Sequence, residues 1–344
     1  MKSPEEFIRG SQQVGVALSS PITVELEVTS NCNNVCQFCY NVWKKDDIHK
    51  SADMFFILDR LIEADVKMLF LTGGEPFLRK DIFQLIEYAL NNKIRTSVVT
   101  NGTLLTEEKA HTLKDLKVHV QVSLHGSEKV HDHLVGVPGA YKKTIDGLEY
   151  LHDCQIPTNI NITLTRQNFR ELSHVGDVAK SLKTSLSMTR LVLTGTEVNR
   201  RLQFTRDTIT ELMDFLLEQK DLKGSSIQSP FPVCCLGEKG ISKMLNVYSM
   251  FDVVGCQGGI TWCAVSPEGK VRSCGAMGVE SGDLQTTDLR TIWKSESIWK
   301  CRTFQHVPQS CLECEYLPVC TGGCRADAYA MTGDLTTPDP LAAW

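Results

Sequence analysis

Residues 22–40 read ITVELEVTSNCNNVCQFCY, a β-rich apolar run that leads through a polar turn into three closely spaced cysteines. The run predicts a strand over residues 22–28, and Thr29-Ser30-Asn31 predicts the turn that follows it. The cysteines then lie on a loop at the carboxyl end of this strand. In parallel α/β folds such loops carry the chemistry, so the stretch predicts an α/β protein with its reactive site at a strand end.

The same arrangement of strand and helix repeats as far as about Leu193. Six β-rich runs alternate with six amphipathic stretches, which predicts a partial (β/α)6 TIM-like barrel. The predicted strands are 22–28, 67–71, 94–99, 118–124, 157–164 and 188–194. The predicted helices are 52–64, 81–91, 106–115, 141–153, 170–183 and 207–219. Ser51, Asp81 and Thr106 precede the first three helices and are suitable N-cap residues.

Beyond about residue 224 the periodicity gives way to sequence rich in Gly, Pro and Cys. We expect little regular core there, so this part needs cross-links such as metal clusters. The sequence therefore predicts two domains: a barrel over residues 15–223 and a small irregular cysteine-rich iron–sulfur domain over residues 224–344.

Composition excludes several classes of partner and compartment. The chain of 344 residues has a net charge of -5 and a pI near 6.0, without a long Lys/Arg run. These values predict neither nucleic acid nor membrane as a partner. The N-terminus lacks the basic and apolar regions of a signal peptide, which predicts a cytoplasmic protein. Fourteen cysteines in a reducing cytoplasm indicate metal ligation or redox chemistry.

The N-terminal cysteines have the spacing Cys32-x3-Cys36-x2-Cys39. Three thiolates from one loop hold three irons of a [4Fe–4S] cube and leave the fourth iron open to a ligand. In a chain with this many cysteines, such spacing arises by chance on the order of 0.02 times. A three-cysteine zinc site or a group of buried thiols is the structural alternative.

Three further loops follow predicted strands, and each has residues that suit a ligand or a simple turn. Gly73-Gly74-Glu75-Pro76 follows the second strand, and its glycines permit close approach while its carboxylate suits an ammonium group. Thr100-Asn101 and Ser123-Leu124-His125-Gly126 follow the third and fourth strands. His125, His131 and His133 resemble a metal site, but we interpret this region as a solvated loop.

The C-terminal cysteines form a second group, Cys311-x2-Cys314-x5-Cys320-x3-Cys324. Upstream, Cys256, Cys263 and Cys274 flank a hairpin-like segment over residues 266–271, which brings the flanking thiols together. A zinc ribbon is the alternative, although seven clustered cysteines exceed one tetrahedral site.

The N-terminal motif resembles that of the radical S-adenosylmethionine (SAM) superfamily, in which an aromatic residue precedes the third cysteine. Cys32, Cys36, Phe38 and Cys39 match it. The resemblance implies that the open iron chelates the methionyl group of SAM, and that reductive cleavage gives a 5′-deoxyadenosyl radical that abstracts hydrogen from substrate.

The resemblance also implies a set of SAM contacts. Glu75 is expected to pair with the methionyl amino group, and the other residues of these strand-end loops are expected to line the cofactor. The implied cofactor-binding residues are Phe38, Gly73, Gly74, Glu75, Pro76, Thr100, Asn101 and Ser123. The chain departs from the family at His125, where relatives often have Asp, and at Val135, where many have Arg.

The C-terminal group resembles the SPASM extension of radical SAM enzymes, which usually holds two auxiliary [4Fe–4S] clusters. Cys256, Cys263, Cys274 and Cys324 match ligands of the inner cluster, whereas Cys311, Cys314 and Cys320 match three ligands of the outer cluster. The family's last cysteine is missing after Asp339-Pro340, so we expect a non-thiolate ligand such as Asp339, or an open iron. Four cysteines match no ligand position: Cys154, Cys234, Cys235 and Cys301.

Three hypotheses for function follow. In the first, the enzyme crosslinks, epimerises or oxidises a ribosomally made peptide, using a low-potential electron donor such as flavodoxin or ferredoxin. About 20 residues precede the first strand, too few for a leader-recognition domain, so a separate recognition protein or direct capture is expected. The second substitutes a protein side chain or a small molecule such as a tetrapyrrole. The third is an electron-transfer protein without SAM chemistry.

Overall fold

The computed structural model describes residues 18–41, 52–194, 196–229, 231–253 and 255–342. These residues form an 11-stranded sheet in the order β11-β10-β9-β1-β2-β3-β4-β5-β6-β7-β8. The run from β9 through β1 to β8 is parallel throughout. Strand β10 is antiparallel to both β9 and β11. The strands are β1 Thr23–Thr29, β2 Met68–Gly73, β3 Arg95–Thr100, β4 His119–Ser123, β5 Thr158–Leu164, β6 Ser185–Arg190, β7 Ser226–Ser229, β8 Asp252–Val253, β9 Trp262–Val265, β10 Lys270–Arg272 and β11 Glu280–Asp283.

Helices connect the parallel strands and cover one face of the sheet. In the first part of the chain they are α1 Met54–Glu63, α2 Ile82–Asn91, α3 Glu107–Asp115, α4 Glu128–Val135, α5 Ala140–Asp153, α6 Leu172–Ser181, α7 Glu197–Leu202 and α8 Arg206–Glu218. Later in the chain they are α9 Ile241–Met250, α10 Leu289–Ile292, α11 Glu296–Arg302, α12 Gln309–Leu312, α13 Leu317–Cys320 and α14 Arg325–Thr332. Short 3₁₀ turns include Pro76–Leu78 and Val233–Leu236.

The predicted α/β fold is confirmed, with six strands and six helices found within a few residues of their predicted places. Thr106 caps α3 by accepting from the Lys109 amide, as predicted. Ser51 lies outside the described residues, and Asp53 is the N-cap of α1. Asp81 occupies the N-cap position of α2 without a side-chain hydrogen bond.

The sixth strand lies earlier than predicted, at Ser185–Arg190 rather than 188–194. The apolar residues that suggested the later position, Leu191 and Leu193, follow the strand and pack in a separate small cluster. The first half of the strand contains polar residues with partners inside the fold. Ser187, for example, accepts a hydrogen bond from Asn159 of β5. Inward-facing polar residues therefore weakened the apolar signal on which the prediction relied.

The prediction of a C-terminal part with little regular core is wrong. Strands β7 to β11 continue the sheet, and buried residues such as Val265, Val271 and Trp293 belong to the same core as the strands of the barrel. These strands have two to four residues each, too short for a periodic signal. The division at residue 224 stays a prediction, and the sheet runs across it.

Strand β1 is central to the arrangement because it pairs in parallel with β2 on one side and β9 on the other. Val24, Leu26 and Val28 are fully buried in the main core. Glu25 and Glu27 alternate with them and point to the opposite face of the sheet. Since β1 to β4 are parallel, the loops after them meet at one edge of the sheet, as the predicted site requires.

Candidate active site

The cysteine loop, residues 31–41, is held against the end of helix α4. The amides of Val35 and Gln37 donate to the carbonyls of Val135 and Leu134, at 3.0 and 2.9 Å. The Gln37 side chain donates to the His133 carbonyl at 2.8 Å. The loop is therefore fixed by backbone contacts that the sequence did not predict, because α4 was interpreted as a solvated loop.

The three predicted cluster ligands lie on this loop, and the first is the most exposed. Cys32 is exposed, while Cys36 and Cys39 are half-buried. The Asn34 amide donates to Cys32 Sγ at 3.4 Å. Desolvation raises the pKa of Cys32, and the nearby Glu75 carboxylate and Cys39 thiol raise it further. Binding of a cluster must therefore drive deprotonation of Cys32.

Phe38, the aromatic residue before the third cysteine, packs edge-on against His125 with ring centroids 4.6 Å apart. His125 and His131 are both buried, and their rings stack at 5.6 Å. The interpretation of this region as a solvated loop is thus wrong. Helix α4 carries His131, Leu134 and Val135 into the interior, and its spacing of apolar and histidine residues was the signal that could have identified it.

The two glycines after β2 allow this loop to approach the cysteine loop. A Cβ on Gly73 would overlap the carbonyl oxygen of Thr29, and a Cβ on Gly74 would overlap that of Asn31. Gly73 also has a φ of +126°, which side chains rarely allow. The Gly74 and Glu75 amides donate to those same carbonyls, each at 2.7 Å. The glycines are therefore needed for contact between two backbone segments, and not only for approach to a ligand as the sequence suggested.

Glu75 is fully buried and accepts three hydrogen bonds. The donors are the Phe77 amide at 3.1 Å, the Thr100 hydroxyl at 2.7 Å and the Asn101 amide at 2.8 Å. Burial raises the pKa of Glu75, whereas these hydrogen bonds act in the opposite direction. The carboxylate therefore joins the loops after β2 and β3, and Pro76 begins the 3₁₀ turn that follows it.

Thr100 and Asn101 lie beside the cysteine loop, as predicted. Thr100 is buried and directs its hydroxyl to Glu75. The Asn101 side-chain amide donates to Asn33 Oδ1 at 2.9 Å and lies 4.0 Å from Cys32 Sγ. Ser123 ends β4 and is level with Asn161 of β5, so it faces the same side of the sheet.

Two buried oxygens next to the cysteines have no hydrogen-bond partner among the described residues. They are Asn34 Oδ1 and Asn41 Oδ1, and each residue is less than a tenth exposed. Asn41 is held in place because its Nδ2 donates to the Gly73 carbonyl at 3.0 Å. Acceptors of this kind fit a ligand rich in donors, such as the ammonium and ribose hydroxyls of SAM. Asn34 and Asn41 were not identified from the sequence.

The four inner cysteines are Cys256, Cys263, Cys274 and Cys324. Burial raises the pKa of each thiol. The pKa of Cys274 rises to about 12, because the nearby Cys256 adds to the effect of burial. Cys274 also raises the pKa of Cys324, so Cys256, Cys274 and Cys324 lie near one another. Glu25 raises the pKa of both Cys263 and Cys274. The nearby backbone amides of Gly258 and Ala276 act to lower the pKa of Cys256 and Cys274 respectively.

The two cysteine groups are connected by one side-chain pair that the sequence did not indicate. Tyr40, next to Cys39, donates from its hydroxyl to Glu25 Oε1 at 2.8 Å. Burial raises the pKa of Tyr40 well above 10, and Glu25 adds to this effect. Glu25 in turn lies near Cys274, whose pKa it raises. Thus Tyr40 and Cys274 lie on the Glu25 side of β1, whereas Cys263 is level with Val24 and points into the main core on the opposite face of the sheet.

The outer cysteines, Cys311, Cys314 and Cys320, line a small cavity that is partly open to solvent. Burial raises the pKa of Cys320, whereas the nearby backbone amides of Gly322 and Val233 act to lower it. In the described part of the chain, no three His, Cys, Asp or Glu side chains are close enough to share one metal ion. A cubane cluster does not require this, because each thiolate binds a different iron.

Comparison with known proteins agrees with this geometry. A family model described as the Radical SAM superfamily matches residues 26–179, and one described as the SPASM iron–sulfur cluster-binding domain matches residues 256–315. The AdoMet-dependent heme synthase of Methanosarcina barkeri is 31% identical over 341 residues, which cover 95% of this chain and 97% of that protein. The chain belongs to the radical SAM superfamily. It is a radical SAM enzyme with a SPASM domain, and its cofactors are SAM, a [4Fe–4S] cluster and auxiliary iron–sulfur clusters.

Other relatives of this radical SAM enzyme cover most of the chain. The PqqA peptide cyclase of Bradyrhizobium diazoefficiens is 27% identical over 342 residues, which cover 94% of this chain and 86% of that protein. The structure of Streptococcus suis SuiB bound to the precursor peptide SuiA has a TM-score of 0.75 at 19% identity, covering 99% and 80% of the two chains. The SuiB likeness shows the shared fold. None of the described helices is both long and apolar enough to cross a bilayer.

Proposed function

We propose that this radical SAM enzyme abstracts a hydrogen atom from a side chain of a ribosomally made peptide. Its proposed cluster ligands are Cys32, Cys36 and Cys39, which leave one iron for SAM. When bound and reduced, the cluster and SAM supply a 5′-deoxyadenosyl radical that takes hydrogen from the substrate. Asn34 and Asn41 offer acceptors to SAM, while Glu75 fixes the loops around it.

The observation that carries the peptide assignment is a polar ladder on the inward face of β4 to β6. Asn159 donates to Gln121 Oε1 at 3.1 Å and to Ser187 Oγ at 2.8 Å. Asn161 and Thr189 exchange hydrogen bonds at 3.0 Å. Neutral amides and hydroxyls both donate and accept, so they complement the amides of a peptide.

Relatives support the same class of substrate, because the PqqA peptide cyclase acts, by its name, on a peptide. We propose flavodoxin or ferredoxin as electron donor, since the cluster needs a low-potential reductant. A separate leader-recognition protein, or direct capture by the barrel, would bring the peptide to the site. The enzyme is proposed to be cytoplasmic, where reduced thiols can hold clusters.

A tetrapyrrole is the second candidate substrate. The observation that favours it is the 31% identity to a heme synthase, which extends over nearly the full length of both proteins. The two candidates are separated by anaerobic incubation with SAM, a reductant and either candidate peptides encoded nearby or a tetrapyrrole carboxylate. A mass change in the peptide supports the proposal, whereas a mass change in the tetrapyrrole alone replaces it.

The radical chemistry has its own test. Replacement of Cys32, Cys36 and Cys39 by Ala should abolish formation of 5′-deoxyadenosine while the C-terminal iron remains. Cys154→Ala is the control, because Cys154 is a buried residue at the end of α5, 3.9 Å from His111 Nδ1. Undiminished SAM cleavage in the triple variant would defeat the assignment of these ligands.

A further inference from the structure

The outer cysteines need a fourth ligand, and the family's usual cysteine is missing from this chain. Ala342 lies in the region where the sequence lacks that cysteine, and it lines the same cavity as the outer cysteines. Any replacement ligand must have a donor atom at this cavity. Among the described residues of its wall, the thiols and carboxylates besides Cys311, Cys314 and Cys320 are those of Asp339 and Cys234.

Asp339 is already engaged on both carboxylate oxygens. Its Oδ2 pairs with Arg190 Nη1 at 2.9 Å and accepts from the Cys324 amide at 2.7 Å. Its Oδ1 accepts from Arg190 Nη2 at 3.1 Å and from the Leu341 amide at 2.8 Å. Because Asp339 is a buried counterion of Arg190, binding it to iron would remove charge and hydrogen bonds from that cation.

Cys234 lies in the 3₁₀ turn Val233–Leu236, which also lines this cavity. The amide of Val233, the residue before it, lies near the sulfur of Cys320 and acts to lower the pKa of that thiol. Val233 and Cys234 also line the same cavity as Cys311, Cys314 and Cys320, so the turn adjoins the outer cysteines. Cys234 is half-buried and lines the cavity.

The neighbouring Cys235 points elsewhere. Its sulfur lies 3.5 Å from Met244 Sδ of α9, and the residue is only 2% exposed. Burial raises the pKa of Cys235 to about 12. The two adjacent cysteines therefore have different surroundings, and Cys235 provides a matched control.

We propose that Cys234 is the fourth thiolate ligand of the outer auxiliary cluster. This assignment replaces the sequence-based expectation of a carboxylate ligand or an open iron. With Cys311, Cys314 and Cys320 it completes the four thiolates that usually close a [4Fe–4S] site. The inference rests on the presence of auxiliary clusters and not on the identity of the substrate.

The test measures iron, sulfide and electron-paramagnetic spectra of anaerobically reconstituted full-length protein without substrate. The parent should contain about 12 irons for three cubes, and Cys234→Ala should contain fewer, near 8 if the outer cluster is lost or about 11 if it survives as a three-iron cluster. Cys235→Ala should keep the parental iron content and spectrum.

A second variant guards against misfolding. Ala342→Cys in the Cys234→Ala background should restore about 12 irons, because it supplies a thiolate at the same cavity. Unchanged iron and spectra in Cys234→Ala would overturn the proposal, as would loss of the outer cluster in Asp339→Asn but not in Cys234→Ala. A crystal structure of the anaerobic parent should show Cys234 Sγ bonded to iron, and an Asp339 oxygen or an open iron at that position would refute it. None of these readouts depends on turnover, so a wrong substrate assignment would leave them unaffected.

Discussion

A single buried carboxylate joins the loops after β2 and β3 beside the cysteine loop. Glu75 is fully buried, yet it accepts hydrogen bonds from two backbone amides and from the Thr100 hydroxyl. Each donor would lose its partner if the carboxylate were removed, at a cost of about 1–3 kcal/mol per buried group. Glu75 thus orders the loops around Cys32 whether or not it also meets the ammonium group of SAM.

We expect Glu75→Ala to raise the Kd for SAM by about 10- to 100-fold with unchanged iron content. The physical reason is loss of the carboxylate together with release of the loops after β2 and β3. Anaerobic equilibrium binding measures the effect, with iron assays run in parallel. Equal affinity in variant and parent would contradict this role.

Thr100→Val separates the two explanations for such a loss. The variant removes the Thr100 donor but keeps the Glu75 carboxylate. If loop order is the main contribution, Thr100→Val should also raise Kd, by about 10-fold or more, because the Thr100 hydroxyl both donates to Glu75 and accepts from the Gly102 amide at 3.0 Å. An unchanged Kd in Thr100→Val, combined with a raised Kd in Glu75→Ala, would assign the effect to direct pairing with SAM.

At the scale of elements, helix α4 connects the cysteine loop to a pair of neutral histidines. His131 Nδ1 accepts from the His125 amide at 3.1 Å, and His125 Nδ1 accepts from the Thr163 amide at 3.2 Å. Burial lowers the pKa of His131 from 6.5 to about 4, although Asp132 acts to raise it. Burial also lowers the pKa of His125 well below 6.5, and His131 adds to the effect.

These shifts predict acid destabilisation. Because the folded pKa of His131 is lowered, its contribution is complete above pH 6.5 and is lost as the pH falls toward 4. Between pH 7.5 and 5.5, His131 alone should reduce the free energy of unfolding by about 1 kcal/mol. Thermal unfolding should show a smaller pH dependence for His131→Gln than for the parent. His133→Gln, on the exposed side of α4, is the control, and an equal pH dependence in His131→Gln and the parent would contradict the assignment.

Elements of regular length were predictable from the sequence, whereas short elements and side-chain partners were not. The helix α8 and the strand β5 have enough turns or alternations to show their period. The strand β8 has two residues and α13 has four, so neither has a pattern of its own. The cysteine spacing predicted Cys32 and Cys36 as ligands, whereas the acceptor Asn41 depends on a fold-level contact with Gly73.

At the scale of the molecule, buried ion pairs connect the barrel strands to the C-terminal segments. Arg190 at the end of β6 pairs with Asp327 of α14 and with Asp339, and all three are at most 3% exposed. Arg272 of β10 pairs with Glu27 of β1 at 2.8 Å. Each pair joins residues far apart in sequence, so loss of one partner affects both parts of the protein.

We expect Arg190→Met to lower the free energy of unfolding by about 3–5 kcal/mol, because it leaves two buried carboxylates without their cation. Denaturant unfolding under anaerobic conditions measures the change. The matched control is the triple variant Arg190→Met, Asp327→Asn and Asp339→Asn, which should recover part of the loss. A loss below about 1 kcal/mol in Arg190→Met would show that these charges are hydrated or paired elsewhere.

The parallel pairing of β9 with β1 has a consequence for the order of events during synthesis. Roughly 230 residues separate the two strands, so at a translation rate of about 5–20 residues/s the ribosome needs about 10–50 s to produce β9 after β1. Throughout that interval the outer edge of β1 exposes unpaired backbone groups beside the three N-terminal cysteines. The nascent chain is then most vulnerable to edge pairing with another chain, and chaperone binding or early cluster insertion at Cys32, Cys36 and Cys39 would act within this window.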